Sequence, residues 1–133
     1  MGDKVLLIDD DAALLTLMKS AFASAGYTVE AADNGRKGLQ ALESYEPDLV
    51  VTDIVMPEME GIGTIMAIKK KPRAPKVIAI SGVGRLRDND YLKWASHLGA
   101  DEVLAKPFRM SELLKLSRRV IETQSSNSNR SEV

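Results

Sequence analysis

Five side chains of three chemical kinds carry the chemistry this sequence could do: the carboxylates Asp9, Asp10 and Asp53, the hydroxyl of Ser81 and the ammonium of Lys106. Each stands at the end of a short apolar run. Val5-Leu6-Leu7-Ile8 precedes Asp9-Asp10, Leu49-Val50-Val51-Thr52 precedes Asp53, Val77-Ile78-Ala79-Ile80 precedes Ser81, and Val103-Leu104-Ala105 precedes Lys106. Three carboxylates gathered at one place repel one another and call for a cation. Oxygen donors with neither His nor Cys among them suit Mg²⁺ or Mn²⁺ rather than zinc, and Mg²⁺ commonly completes its shell with water and phosphate oxygens. A nucleophilic Asp53 beside such a cation, an ammonium and a hydroxyl donor is a set that accepts and stabilises a phosphoryl group in transfer. Any one of these residues alone reads as a turn, cap or solvated side chain, so it is their joint placement that selects the chemistry.

That placement has to come from the elements. Short Val- and Ile-rich runs alternate with longer segments of helical period, which predicts an α/β chain with one doubly wound, five-stranded parallel sheet. Strands are expected at Val5–Ile8, Tyr27–Ala31, Asp48–Asp53, Lys76–Ser81 and Glu102–Ala105. Leu14, Met18 and Phe22, with Leu15 beside them, recur at helical spacing from Asp11 to Ala25, and Gly26 stands where a C-terminal cap belongs. Asn34-Gly35 opens a second helix with Gly38, Leu39, Ala41 and Leu42 on its apolar side, stopped by Pro47. Ile62, Ile65, Met66 and Ile68 mark a third, and its terminal Lys69-Lys70-Lys71 suits a helix dipole better than nucleic acid. A fourth is expected over Tyr91 to Leu98, and Leu113, Ser117, Val120 and Ile121 share one face of a last helix that fades after Glu122. Residues 1–123 then form one domain, and the Ser- and Asn-rich stretch 124–133 reads as a disordered tail. In an open parallel sheet, ligands bind beyond the carboxyl ends of the strands, which is where the five chemical residues fall.

Composition narrows the function classes. The 133 residues carry a formal net charge of −1, so no positive field draws the chain to nucleic acid or to a membrane. There is no cysteine, which excludes disulfides and thiolate metal sites and fits a cytoplasmic protein. The four apolar residues near the N-terminus are too few for a signal core or a membrane span.

From Lys4 to about Thr123 the sequence resembles the receiver domain of two-component response regulators, of the stand-alone, chemotaxis-regulator type. The residues that carry the resemblance are Leu7-Ile8-Asp9-Asp10-Asp11, Asp48-Leu49-Val50-Val51-Thr52-Asp53 with Met56-Pro57 and Gly61, Ile80-Ser81-Gly82, Gly99-Ala100-Asp101 and Lys106-Pro107-Phe108. The resemblance implies a flavodoxin-like (βα)5 fold with strand order 2-1-3-4-5. It also implies that Asp9 and Asp10 are metal-site acids, that Asp53 is the phosphoacceptor and that the Val55 backbone carbonyl reaches the metal. Ser81 becomes the switch hydroxyl, Lys106 the phosphate-binding cation, and Lys106-Pro107 a cis bond. The phosphoryl donor is then a sensor histidine kinase or a histidine phosphotransfer protein. Such a domain is no enzyme beyond its own Mg²⁺-dependent phosphorylation and dephosphorylation. Its output is a protein-binding surface, with no DNA-binding element.

The sequence departs from that pattern at three places. Val103 occupies the position, three residues before the lysine, where most relatives have an aromatic switch residue. The segment from Gly82 to Asp90, with Gly84 inside it, is about three residues longer than in chemotaxis-type receivers and is expected to carry the readout instead. Val55 and Val83 replace side chains that could orient water, which predicts slow loss of the phosphoryl group. Tyr91 and Trp94 form a possible partner-binding pair, and His97 is read as structural. The alternatives are a phosphorelay intermediate or phosphate sink, and a binding module indifferent to phosphorylation. A phosphohydrolase of the haloacid dehalogenase type needs a second acid two residues after Asp53, where Val55 stands.

Overall fold

Val5, Leu6, Leu7 and Ile8 are all wholly buried, which is possible for four successive residues only if both faces of their strand are covered. The structure is a computed structural model that describes residues 3–54, 60–81 and 99–131, with the side chains of 60–62 and 124–131 outside that description. Along the chain it contains β1 (Lys4–Ile8), α1 (Ala12–Ser24), β2 (Thr28–Ala32), α2 (Gly35–Tyr45), β3 (Leu49–Asp53), α3 (Glu60–Lys69), β4 (Lys76–Ser81), β5 (Glu102–Ala105) and α4 (Met110–Ser131). The strands form one sheet in the order β2-β1-β3-β4-β5, and every pairing is parallel. This is the flavodoxin-like order that the resemblance implies.

Strand alternation divides the core into two layers. Leu6 and Ile8 of β1, Val50 of β3 and Val77 and Ala79 of β4 face α2 and α3, where Leu42, Ile65 and Ile68 meet them. Val5, Leu7, Leu49, Val51, Ile78 and Ile80 face α1 and α4, and pack against Met18, Phe22, Leu113, Leu116 and Val120. Phe22 meets Tyr27 edge to face at 5.4 Å.

The helices start and stop where the side chains dictate. The Asp11 carboxylate accepts the Leu14 N–H at 3.1 Å and the Asn34 amide oxygen accepts that of Lys37 at 2.8 Å, each capping a helix start. Gly26 takes φ 98° just beyond α1, a conformation that spares glycine the penalty of a side chain. At the amino end of the sheet, one Asp101 oxygen accepts the Val77 N–H at 2.8 Å and the Lys69 ammonium at 3.0 Å, pinning α3 to the start of β4.

Met66, one of the four residues that mark α3 in the sequence, is 43% exposed, because it lies about 100° round the helix from Ile65. The backbone of α4 is helical from Met110 to Ser131, and its first three turns are fixed by the packing of Leu113, Leu116 and Val120. The helix expected over Tyr91 to Leu98, with Trp94 and His97, lies outside the described residues. Among the described residues, no helix is long and apolar enough to cross a membrane.

Candidate functional site

The register of the sheet delivers the five chemical residues to one edge. Ile8 pairs with Thr52, so Asp9 and Asp53 follow at the same level on adjacent strands. Ser81 pairs with Ala105, and the next residue, Lys106, donates its N–H to the Ser81 carbonyl at 2.9 Å. The Lys106–Pro107 peptide is cis, as the resemblance implies.

Asp9 and Asp53 are buried, at 0% and 3% exposure, whereas Asp10 is exposed. One carboxylate oxygen from each of the three lies within 4.8 Å of the others. The Lys106 ammonium donates to Asp53 Oδ2 at 3.0 Å and stands 3.5 Å from Asp9 Oδ2. Asp9 Oδ1 accepts the Asp11 N–H at 2.8 Å, whereas Asp9 Oδ2 is buried without a well-formed hydrogen bond and faces the Lys106 ammonium at 3.5 Å. Ser81, 7% exposed, ends β4 beside this group.

The electrostatics follow from burial. Desolvation pushes the Asp9 carboxyl above the usual carboxylate value; the Asp11 N–H and Lys106 oppose the shift, and the charge of Asp53 adds to it. Burial alone would draw the Lys106 ammonium down. Its hydrogen bond to Asp53, with the charges of Asp53 and Asp9, outweighs burial and leaves its pKa above the ordinary lysine value. A buried carboxylate oxygen with no well-formed hydrogen bond, in a cluster of three acids facing one ammonium among the described residues, is a donor set short of positive charge. It fits a hard divalent cation bound by oxygen.

The structure thus brings together Asp9, Asp10, Asp53 and Lys106, with Ser81 at the same edge. Val55, whose carbonyl was expected at the metal, and Gly82, Gly84 and Val83 lie outside the described residues, as do Met56 and Pro57. Val103 is half-buried, opposite Ala79 in register, and packs into the layer under α2 and α3. Asp11 closes the Leu7–Asp11 run and caps the start of α1. Its N–H also orients Asp9, a role that the Asp9-Asp10-Asp11 run does not reveal because it depends on the chain turning at once into α1.

The family model of the response regulator receiver domain matches residues 5–118, which take in all five strands apart from Lys4. The chain belongs to the response regulator receiver domain family. This receiver is 35% identical to the chemotaxis protein CheY of Thermotoga maritima over 121 residues, 90% of the chain and 98% of that protein. It is 37% identical to the transcriptional regulatory protein CpxR homolog of Haemophilus influenzae over 127 residues, 95% of the chain and 53% of that protein. The receiver thus spans about half the length of that regulator. Among solved structures, the CheY-like response regulator receiver domain protein of Methanospirillum hungatei superposes with a TM-score of 0.86 at 27% identity, covering 96% of this chain and 99% of that one.

Proposed function

We propose that Asp53 accepts a phosphoryl group from a phosphohistidine of a sensor histidine kinase or a histidine phosphotransfer protein. The observation that carries this reading is the ammonium of Lys106 set 3.0 Å from the buried Asp53 carboxylate and 3.5 Å from the buried Asp9. An Asp53 oxygen attacks phosphorus, the N–P bond of the donor breaks, and its electron pair returns to the donor ring nitrogen. Lys106 follows the negative charge from the Asp53 carboxylate onto the phosphoryl oxygens, and the Ser81 hydroxyl donates to them. Asp9, Asp10, Asp53 and the Val55 carbonyl would hold Mg²⁺, or Mn²⁺ in its place. When bound, the cation neutralises charge on the transferred group. Asp9 and Asp53 are the buried members that fix this geometry, and Asp10 contributes from the exposed side.

The phosphoryl group adds roughly 1.5 to 2 negative charges, enough to draw Ser81 and Lys106 toward it and to bias a protein-binding surface. Val103 packs as part of the core layer opposite Ala79, which supports a readout that does not depend on an aromatic swinging inward at that position. The Gly82 to Asp90 segment, including Gly84, is assigned that readout. Residence in the cytoplasm, a downstream protein target and the absence of direct DNA or membrane contact belong to the same proposal. The test is incubation with acetyl phosphate and Mg²⁺, read by intact-protein mass. A single phosphoryl adduct that Asp53→Asn abolishes supports the reading, and an adduct that survives in Asp53→Asn overturns it.

A further inference from the structure

We propose that Gly38 is a positioning residue for the Asp9-Asp10 pair, acting through Ile8. Ile8 is the last residue of β1 and is wholly buried in the layer beneath α2 and α3. The next two residues are the acids of the site. Gly38 is buried in α2, in an ordinary helical conformation, so its backbone does not require glycine. What requires glycine is space. A Cβ at position 38 would stand 2.9 Å from Ile8 Cγ1 and closer still to Ile8 Cδ1. Glycine inside a helix is unfavourable relative to alanine, so its presence there has to be offset by what the close approach gains.

The gain is the placement of the end of β1. Cδ1 alone could rotate away from an added methyl, but the position of Cγ1 is set by the stiff χ1 torsion of a β-branched side chain. Moving Cγ1 means turning χ1 or shifting the Ile8 backbone, and the close-packed layer has no room for the first. The Ile8 backbone is bonded directly to Asp9, whose N–H donates to the Ala32 carbonyl at 3.2 Å and whose Oδ1 receives the Asp11 N–H. Displacement of Ile8 therefore passes into the acid pair. Gly38 touches no ligand; it lets α2 close over Ile8 and hold the strand end that presents the acids.

The proposal rests on the cation-site reading for one of its two measurements. In the cation-free protein, NMR amide shifts of Asp9 and Asp11 report the pair directly. With Mn²⁺ as probe, paramagnetic titration reports the affinity. Gly38→Ala moves both amide resonances and weakens Mn²⁺ binding by about tenfold, the scale seen when support for a metal ligand is lost. Ile8→Ala deletes Cγ1 and Cδ1 together, and adding Gly38→Ala to it leaves the Asp9 and Asp11 amides and the Mn²⁺ affinity where Ile8→Ala alone puts them. Should Gly38→Ala alone fail to fold, the double variant decides: folded with the amide positions of Ile8→Ala it supports the proposal, and amides moved from those positions, or a double variant that unfolds where Ile8→Ala folds, overturn it. Unmoved Asp9 and Asp11 amides in Gly38→Ala, with only the melting temperature changed, would mean that α2 yields outward and would overturn the positioning role. Absence of Mn²⁺ binding by the parent protein would sink the cation reading but leave the amide test of Gly38 intact.

Discussion

Asp9→Asn should stabilise the cation-free protein while abolishing its response to Mg²⁺. Asp9 and Asp53 place carboxylate oxygens within 4.8 Å of one another, a repulsion of about 3.5 kcal/mol or more at an effective dielectric of about 20. Lys106, 3.5 Å from Asp9, returns about 4.7 kcal/mol on the same scale. The two nearly cancel, and Asp10, being exposed, is screened. What remains is the burial of Asp9 Oδ2 without a well-formed hydrogen bond, a penalty of about 1–3 kcal/mol. Asparagine keeps the Oδ1 acceptor for the Asp11 N–H and removes the charge, so the variant should gain about 1 kcal/mol in EDTA. In the parent, Mg²⁺ at a hundred times its dissociation constant should add about 2.7 kcal/mol, and in Asp9→Asn close to nothing. Urea denaturation with and without Mg²⁺ measures both. Loss of stability in EDTA, or an undiminished Mg²⁺ increment in the variant, would refute the reasoning.

Lys106→Met removes the counter-charge from two buried acids and should destabilise the cation-free protein by roughly 2 kcal/mol, less than for a fully buried pair because the lysine keeps some solvent; Mg²⁺ should recover most of it in the same denaturation series. Burial raises the phenols of Tyr27 and Tyr45 above their usual value of 10.0. The unfolded chain then ionises first, so stability is intact below that value and falls as pH climbs through the folded values. Tyr45→Phe, which also loses the 2.7 Å bond to the Thr28 carbonyl at a cost of about 1 kcal/mol, should flatten part of that alkaline decline; an unchanged slope would remove Tyr45 from the account. With valine rather than a polar residue at positions 55 and 83, two residues after Asp53 and Ser81 in the sequence, the phosphoryl group should persist for minutes or longer with Mg²⁺ present, and decay within seconds would count against the role given to these two residues.

Much of the fold was legible because buried parallel strands write themselves as unbroken apolar runs. The bounds read for the strands Lys76–Ser81 and Glu102–Ala105 are those of β4 and β5, and the other three agree to within a residue at each end. The convergence of Asp9, Asp10, Asp53, Ser81 and Lys106 was legible for the same reason, since each closes or follows a strand of one parallel sheet. What the sequence does not express is burial contrast between neighbours. Asp9 is wholly buried and Asp10 exposed, although the two are identical in type and adjacent. Nor does it express long-range contact. Gly38 looks like a weak helix residue until Ile8 is found against it, and Asp101 looks like a loop acid until it holds Lys69 and the start of β4.

The central claim is that Asp53 carries the phosphoryl group. Reduction of the acetyl phosphate-treated protein with borohydride converts an aspartyl phosphate to homoserine, and peptide mass mapping then locates it. The account predicts homoserine at position 53 and nowhere else, dependent on a divalent cation. Homoserine at another position, or an Asp53 that stays unmodified while the protein takes up phosphate, would contradict it.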